Sequence, residues 1–177
     1  MNSISAVLLL TLLQGAEGPY TAAKDAPSVA RLAADAEPGD RLVVTGRVYR
    51  PDGRPAAGVS LYVYQTDKDG IYSKPVNDSR TPRLKAFLRT DAEGRYEYHT
   101  IRPGSYPDTR NPAHIHYHVN AAGFPEKVFE IVFEDDPLVD QRIRASAARE
   151  GSPFSIRPLT RDAQGGWRCT QDIQLKP

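Results

Sequence analysis

Three of the chain's four histidines fall in one short stretch, Pro112-Ala113-His114-Ile115-His116-Tyr117-His118. Side chains of an extended strand alternate between its two faces, so His114, His116 and His118 would share one side. Two neutral imidazoles aimed into one space can chelate a borderline transition metal. A polar strand face that simply uses histidine is the competing reading. Two tyrosines also stand where packing does not call for them. Tyr72 follows the loop Gly70-Ile71, and Tyr106 lies in the kinked segment Pro103-Gly104-Ser105-Tyr106-Pro107. Taken singly, each reads as readily as a loop aromatic covering a core edge. A phenol can bind a metal only as the phenolate, and its ordinary pKa near 10 opposes that at neutral pH. A trivalent ion offsets the cost, because a large local positive charge reverses the usual pKa logic. Two phenolates and two neutral imidazoles would favour the ferric state and suit an anionic substrate.

The elements that must position these residues are mostly strands. Arg41 to Tyr49 is rich in β-formers, and Pro51-Asp52-Gly53 is a turn in which proline fixes φ and glycine supplies a positive one. Val59, Leu61 and Val63 alternate with Ser60, Tyr62 and Tyr64, the pattern of a half-buried strand. Thr66 to Gly70 then reads as a loop. A strand pair is expected over Phe87–Thr90 and Tyr96–Thr100, joined through Asp91-Ala92-Glu93-Gly94. Arg102 to Pro112, with three prolines and a glycine, reads as an irregular loop feeding the histidine strand. Strands over His114–Asn120 and Lys127–Phe133 follow, with Gly123-Phe124-Pro125 as the turn between them. Residues 137–149 read as one short helix, and Ile156, Trp167 and Ile173 mark a closing stretch of weaker strand signal. Short strands with frequent turns predict an all-β sandwich with irregular loops and one short helix near the C-terminal third.

The chain has 177 residues, a net charge of +1, 15 prolines and 13 glycines. That length suits one domain with a substantial core. The near-neutral, interspersed charge argues against nucleic acid or a basic membrane-binding face. The apolar run Ala6–Leu13 is too short to span a bilayer. With small residues around Gly15 and Ala16 it reads as a signal peptide over residues 1–16, which implies export to the periplasm or medium and no membrane association after processing. No basic residue precedes the run, and a cytoplasmic chain with an apolar N-terminal segment is the alternative. Residues 17–39, rich in Ala, Asp, Glu and Pro, read as a linker or loosely packed arm, leaving 40–177 as the domain. The lone Cys169 can form no internal disulfide and reads as inert packing.

Over about residues 40–139 the sequence resembles the intradiol ring-cleavage dioxygenases, the family of catechol and protocatechuate dioxygenases. The resemblance is carried by Gly46-Arg47-Val48, Gly53-Arg54-Pro55, Ala57-Gly58-Val59 and Gly70-Ile71-Tyr72-Ser73. It continues through Arg89-Thr90-Asp91, Gly94-Arg95-Tyr96, Thr100-Ile101-Arg102-Pro103-Gly104-Ser105-Tyr106-Pro107 and Pro112-Ala113-His114-Ile115-His116-Tyr117. It implies a ferric iron held by Tyr72, Tyr106, His114 and His116. It also implies a catechol-type substrate and dioxygen, and opening of the ring between its hydroxyl-bearing carbons to a muconate-type diacid. Tyr106 would be the ligand that the substrate displaces, taking up a proton as it leaves.

Two positions depart from the family. Its arginine three residues before the first ligand histidine is Asn111 here, with Arg110 one step back. A one-residue shift in an extended segment turns a side chain to the other face, so Arg110 and Asn111 compete for the substrate-facing role. The family's frequent glutamine fourteen residues after the second ligand histidine is Glu130, a negative charge near anionic intermediates. His118, on the ligand face, and Glu130 are the candidates for supporting groups around the ligands, and His118 reads equally as a strand histidine facing solvent beyond the site. Asp108 reads as a turn residue or a partner for Arg110. The catechol dioxygenases' N-terminal helical region, which mediates dimerisation, has no counterpart, so self-association stays open. The competing class is a non-catalytic prealbumin-like or carboxypeptidase-regulatory-like binding module with the same strand grammar, or an iron-binding homologue with altered or lost activity. A zinc site built on the histidines would lack a third strong ligand nearby.

Overall fold

The computed structural model describes residues 18–177. The stretch read as a signal peptide lies outside them. In chain order the elements are β1 (Val29–Arg31), β2 (Arg41–Tyr49), β3 (Ser60–Gln65), β4 (Leu84–Arg89), β5 (Arg95–Ile101), β6 (His114–Asn120) and β7 (Lys127–Phe133). The helix α1 (Gln141–Ala147) follows, then β8 (Phe154–Arg157), β9 (Thr160–Arg161), β10 (Trp167–Thr170) and β11 (Ile173–Gln174). They form a β-sandwich of two sheets. One has the order β1-β5-β2-β10-β9 with β11 also paired to β2, and the other has the order β4-β3-β6-β7-β8.

The core lies between the sheets. Leu42, Val44 and Val48 of β2 and Tyr96 and Tyr98 of β5 meet Leu61 and Val63 of β3, Ile115, Tyr117 and Val119 of β6, and Phe129, Ile131 and Phe133 of β7. Every second residue of β6 is therefore spent on the core, which leaves His114, His116 and His118 on the outer face of its sheet. At about 25 cal/mol per Å² of apolar surface removed from water, this layer is what fixes the register of β6. A slip by one residue would bury the histidines and expose Ile115, Tyr117 and Val119.

Two stretches differ from the sequence reading. Residues 18–39 are tied down: β1 runs parallel to β5, and Ala22, Leu32 and Ala33 are buried. Small alanines and a three-residue strand carry no periodicity by which to recognise this. The helix is shorter than 137–149. Asp140 caps it by accepting a hydrogen bond from the Ile143 amide at 2.9 Å, so Pro137–Val139 form the turn that precedes it. Cys169 is buried in the core, as its inert reading required.

Candidate metal centre and cavity

Two loops carry the tyrosines over the outer face of the five-stranded sheet. In the first, the Asp67 carboxylate accepts from the amides of Asp69 and Ile71, both at 3.0 Å. The Tyr72 amide then donates to Asn77 at 2.8 Å. In the second, the Gly104 amide donates to the Asp67 carbonyl at 2.8 Å, and the Thr66 hydroxyl donates to the Gly104 carbonyl at 2.8 Å. The loops press together so closely that a Cβ on Gly70 would lie 2.0 Å from the Ser105 carbonyl oxygen, and one on Gly104 would lie 2.3 Å from that of Lys68. Gly70 also has a φ of 78°, which only glycine adopts freely. Gly70 and Gly104 thus set the distance between Tyr72 and Tyr106.

The result is a convergence of four donor atoms. The Tyr72 and Tyr106 hydroxyls touch each other. Tyr72 Oη lies 2.6 Å from His116 Nε2, and Tyr106 Oη lies 2.8 Å from His114 Nε2 and 3.3 Å from His116 Nε2. The two Nε2 atoms are 3.1 Å apart. The other nitrogen of each ring shows which tautomer this requires. His114 Nδ1 donates to the Pro112 carbonyl at 2.7 Å, and His116 Nδ1 lies 3.3 Å from a Glu130 carboxylate oxygen. Each Nε2 then carries a bare lone pair. Two lone pairs and two hydroxyl oxygens face one point, an arrangement that a cation at that point makes favourable.

Burial sharpens this. It pushes the Tyr72 phenol far above its ordinary range, with the hydrogen bond that Tyr72 donates to Tyr106 adding to it, and it also raises Tyr106. Neither would ionise without a strong positive charge beside it. Burial, with neighbouring His114 and His118 next, pushes His116 down to about 3, keeping it neutral and able to ligate. The donor set of two phenols and two neutral imidazoles fits a trivalent ion.

The structure separates the remaining candidates. Asn111 lines the cavity beside the donors, whereas Arg110 is exposed and not part of its wall. Asp108 takes a φ of 59° in a turn and makes no ion pair with Arg110. His118 shares the ligand face but not the site. Its ring packs against Tyr20 with centroids 4.2 Å apart and planes tilted by 32°, and its Nδ1 lies 3.0 Å from Glu126. Two residues along a strand span about 6.6 Å, so two rings can tilt to one point while a third cannot. Glu130 faces His116 across the β6–β7 register and lines the cavity.

That cavity, of about 510 Å³, is bounded by Tyr106, Asn111, Pro112, His114 and Glu130 on one side and by Arg142, Ile143, Ser146 and Arg149 of the helix region on the other. The two arginines were not among the sequence candidates. Nothing local marks them, because their place depends on where the helix docks: Ile143 buries against Val132 and Val139, with Phe154 and Ile156 alongside.

A family model described as Dioxygenase matches residues 16–176. The chain belongs to the intradiol ring-cleavage dioxygenase family. It is 32% identical over 144 residues to catechol 1,2-dioxygenase 2 of Acinetobacter lwoffii, covering 72% of this chain and 52% of that one. It is 37% identical over 112 residues to the protocatechuate 3,4-dioxygenase beta chain of Burkholderia cepacia, covering 57% and 48%. The chain thus spans about half the length of these curated relatives. Among solved structures, the dioxygenase domain of a dioxygenase and carbohydrate-binding protein fusion from Streptomyces sp. SirexAA-E superposes with a TM-score of 0.66 at 28% identity. That match covers 90% of this chain and 94% of that one. The family uses non-haem iron.

Proposed function

We propose that this intradiol family member holds ferric iron through Tyr72, Tyr106, His114 and His116, and with dioxygen opens a catecholic ring between its two hydroxyl-bearing carbons to a muconate-type diacid. The observation that carries this reading is the meeting of two phenol oxygens and two bare Nε2 lone pairs at one point. Iron would supply the electrophilic centre that makes a catecholate reactive toward dioxygen. The chain's own residues do the rest. His114 is held in the ligating tautomer from behind by the Pro112 carbonyl, and His116 has a Glu130 carboxylate oxygen 3.3 Å from its Nδ1. Tyr106, at the cavity wall, would take up a proton that a catechol hydroxyl gives up on binding. Asn111 offers a neutral hydrogen-bonding group where the family carries an arginine. The cationic side of the cavity comes from Arg142 and Arg149, which suits a substrate that binds as an anion.

Asn111 and Glu130 favour a second reading, an iron-binding homologue with altered substrate choice or no turnover. Concentrated protein reconstituted with ferric iron, then given catechol under isotopically labelled dioxygen, tests both. The expected result is a visible tyrosinate-to-iron band that shifts with catechol and a diacid carrying both labelled atoms. Colour without product supports the second reading. Protein that stays colourless after iron loading overturns both. Export belongs to the same proposal, and N-terminal sequencing of protein recovered outside the cytoplasm would show whether residues 1–16 are removed.

A further inference from the structure

The two histidines at the donor point are supported unequally. His114 Nδ1 meets a neutral carbonyl, that of Pro112 at 2.7 Å. His116 Nδ1 meets the Glu130 carboxylate, with Oε1 at 3.3 Å. Glu130 stands directly opposite His116 in the antiparallel register of β6 and β7, so two strands of the core hold the pair together. It contacts His116 at the ring nitrogen remote from the phenols, while its carboxylate also lies within 4.8 Å of a His114 ring nitrogen. Tyr64 lies flat on the same ring, 4.4 Å away and 9° from parallel, fixing its plane. With only 29% of the Glu130 side chain and 13% of His116 exposed, water screens the contact little.

We infer that Glu130 is a positioning residue that fixes the His116 tautomer and feeds negative charge through the imidazole, biasing the site toward a trivalent over a divalent ion. This rests on the iron reading above. The physics is that of a carboxylate behind a ligating imidazole: it raises the basicity of the ligating nitrogen and holds its direction. An amide at this position would hold the direction without the charge. The Pro112 carbonyl can do no more than that for His114, so the asymmetry belongs to His116.

A built-in control lies one step along the strand. The Glu126 carboxylate meets His118 Nδ1 in a hydrogen bond of 3.0 Å, closer than Glu130 stands to His116, but His118 does not reach the donor point. The experiment compares wild type, Glu130→Gln, Glu130→Ala and Glu126→Gln, all reconstituted with ferric iron. Three quantities are read: the energy of the tyrosinate-to-iron band, the ferric/ferrous midpoint by spectroelectrochemical titration, and ferric affinity by chelator competition. Both Glu130 variants are expected to move the band to longer wavelength, raise the midpoint and weaken ferric binding by about 10- to 100-fold. Glu126→Gln should match wild type in all three. A coloured wild type whose band, midpoint and affinity survive both Glu130 substitutions unchanged overturns this inference and leaves the ferric dioxygenase reading standing. A wild type that takes up no iron overturns that reading, and this inference with it.

Discussion

Among the described residues, Tyr72 meets Tyr106 and Tyr98 meets Tyr117 through their hydroxyls, and the two pairs have different surroundings. Tyr98 and Tyr117 meet inside the sandwich with their hydroxyls 2.5 Å apart, both fully buried among apolar side chains. Tyr72 and Tyr106 meet on the outer face of one sheet, with two imidazole lone pairs beside them. The inner pair continues into a closed chain, with Tyr96 beside Tyr117 and its hydroxyl donating to the Gln171 carbonyl at 2.6 Å, and burial holds both phenols of the pair far above the ordinary range. The outer pair has more acceptors than protons to share. The same contact is thus structural where its neighbours are another phenol and a backbone carbonyl, and chemical where two imidazole lone pairs converge.

The largest expected effect of breaking that distinction is at the outer pair. Tyr72→Phe should weaken ferric binding by more than about a hundredfold and remove the visible band. It should leave the unfolding free energy of the iron-free protein within about 1 kcal/mol of wild type. Metal analysis and denaturant melts read the two quantities separately, and a variant that unfolds easily yet still binds iron would reverse the assignment. At the inner pair the pattern should invert. Tyr117→Phe strands the Tyr98 hydroxyl without a partner and should cost about 1–3 kcal/mol of stability, with iron binding retained. The Tyr98→Phe, Tyr117→Phe double variant should lose less than the sum of the singles.

A smaller effect is expected from acid on the iron-free protein. An unfolded histidine takes up its proton near pH 6.5, while His116 in the fold stays neutral down to about 3. Between those values the unfolded chain binds the extra proton, so stability falls as pH drops, approaching about 1.4 kcal/mol per pH unit. Burial shifts Glu130 in the opposite sense, so the Glu130→Gln protein is the cleaner sample for this measurement. A flat profile there would mean that His116 is protonated in the fold. The smallest effect concerns the core around the inner pair. Cys169 is buried and its thiol is pushed up to about 11, so a thiol reagent at pH 8 should label it only as fast as the chain unfolds. Rapid labelling would mean that this side of the core admits water.

Sequence reasoning reached the parts of the fold that repeat. The bounds of β2, β6 and β7 follow from alternation sustained over seven to nine residues, and the register of the histidines follows from the same period. It missed β1 and gave only a diffuse signal over β8 to β11. These strands are two to four residues long, and most pair in parallel with strands distant in sequence, leaving no local period to read. The four donor residues were legible because the family resemblance carries them in order. The two readings of His118 could not be separated from sequence, because sharing a face is a matter of period, whereas reaching a point is a matter of distance. Arg142 and Arg149 were invisible because their role depends on where a helix docks. Glu130 was identified as a departure, but its contact with His116 needed the pairing of β6 with β7.

The close approach of Gly70 and Gly104 has an evolutionary corollary. Neither tyrosine loop can gain a side chain at its crossing without moving the other, so the two cannot diversify independently. A side chain added at the crossing of one loop therefore calls for a matching change in the other. A loop graft between relatives should succeed only when both loops travel together.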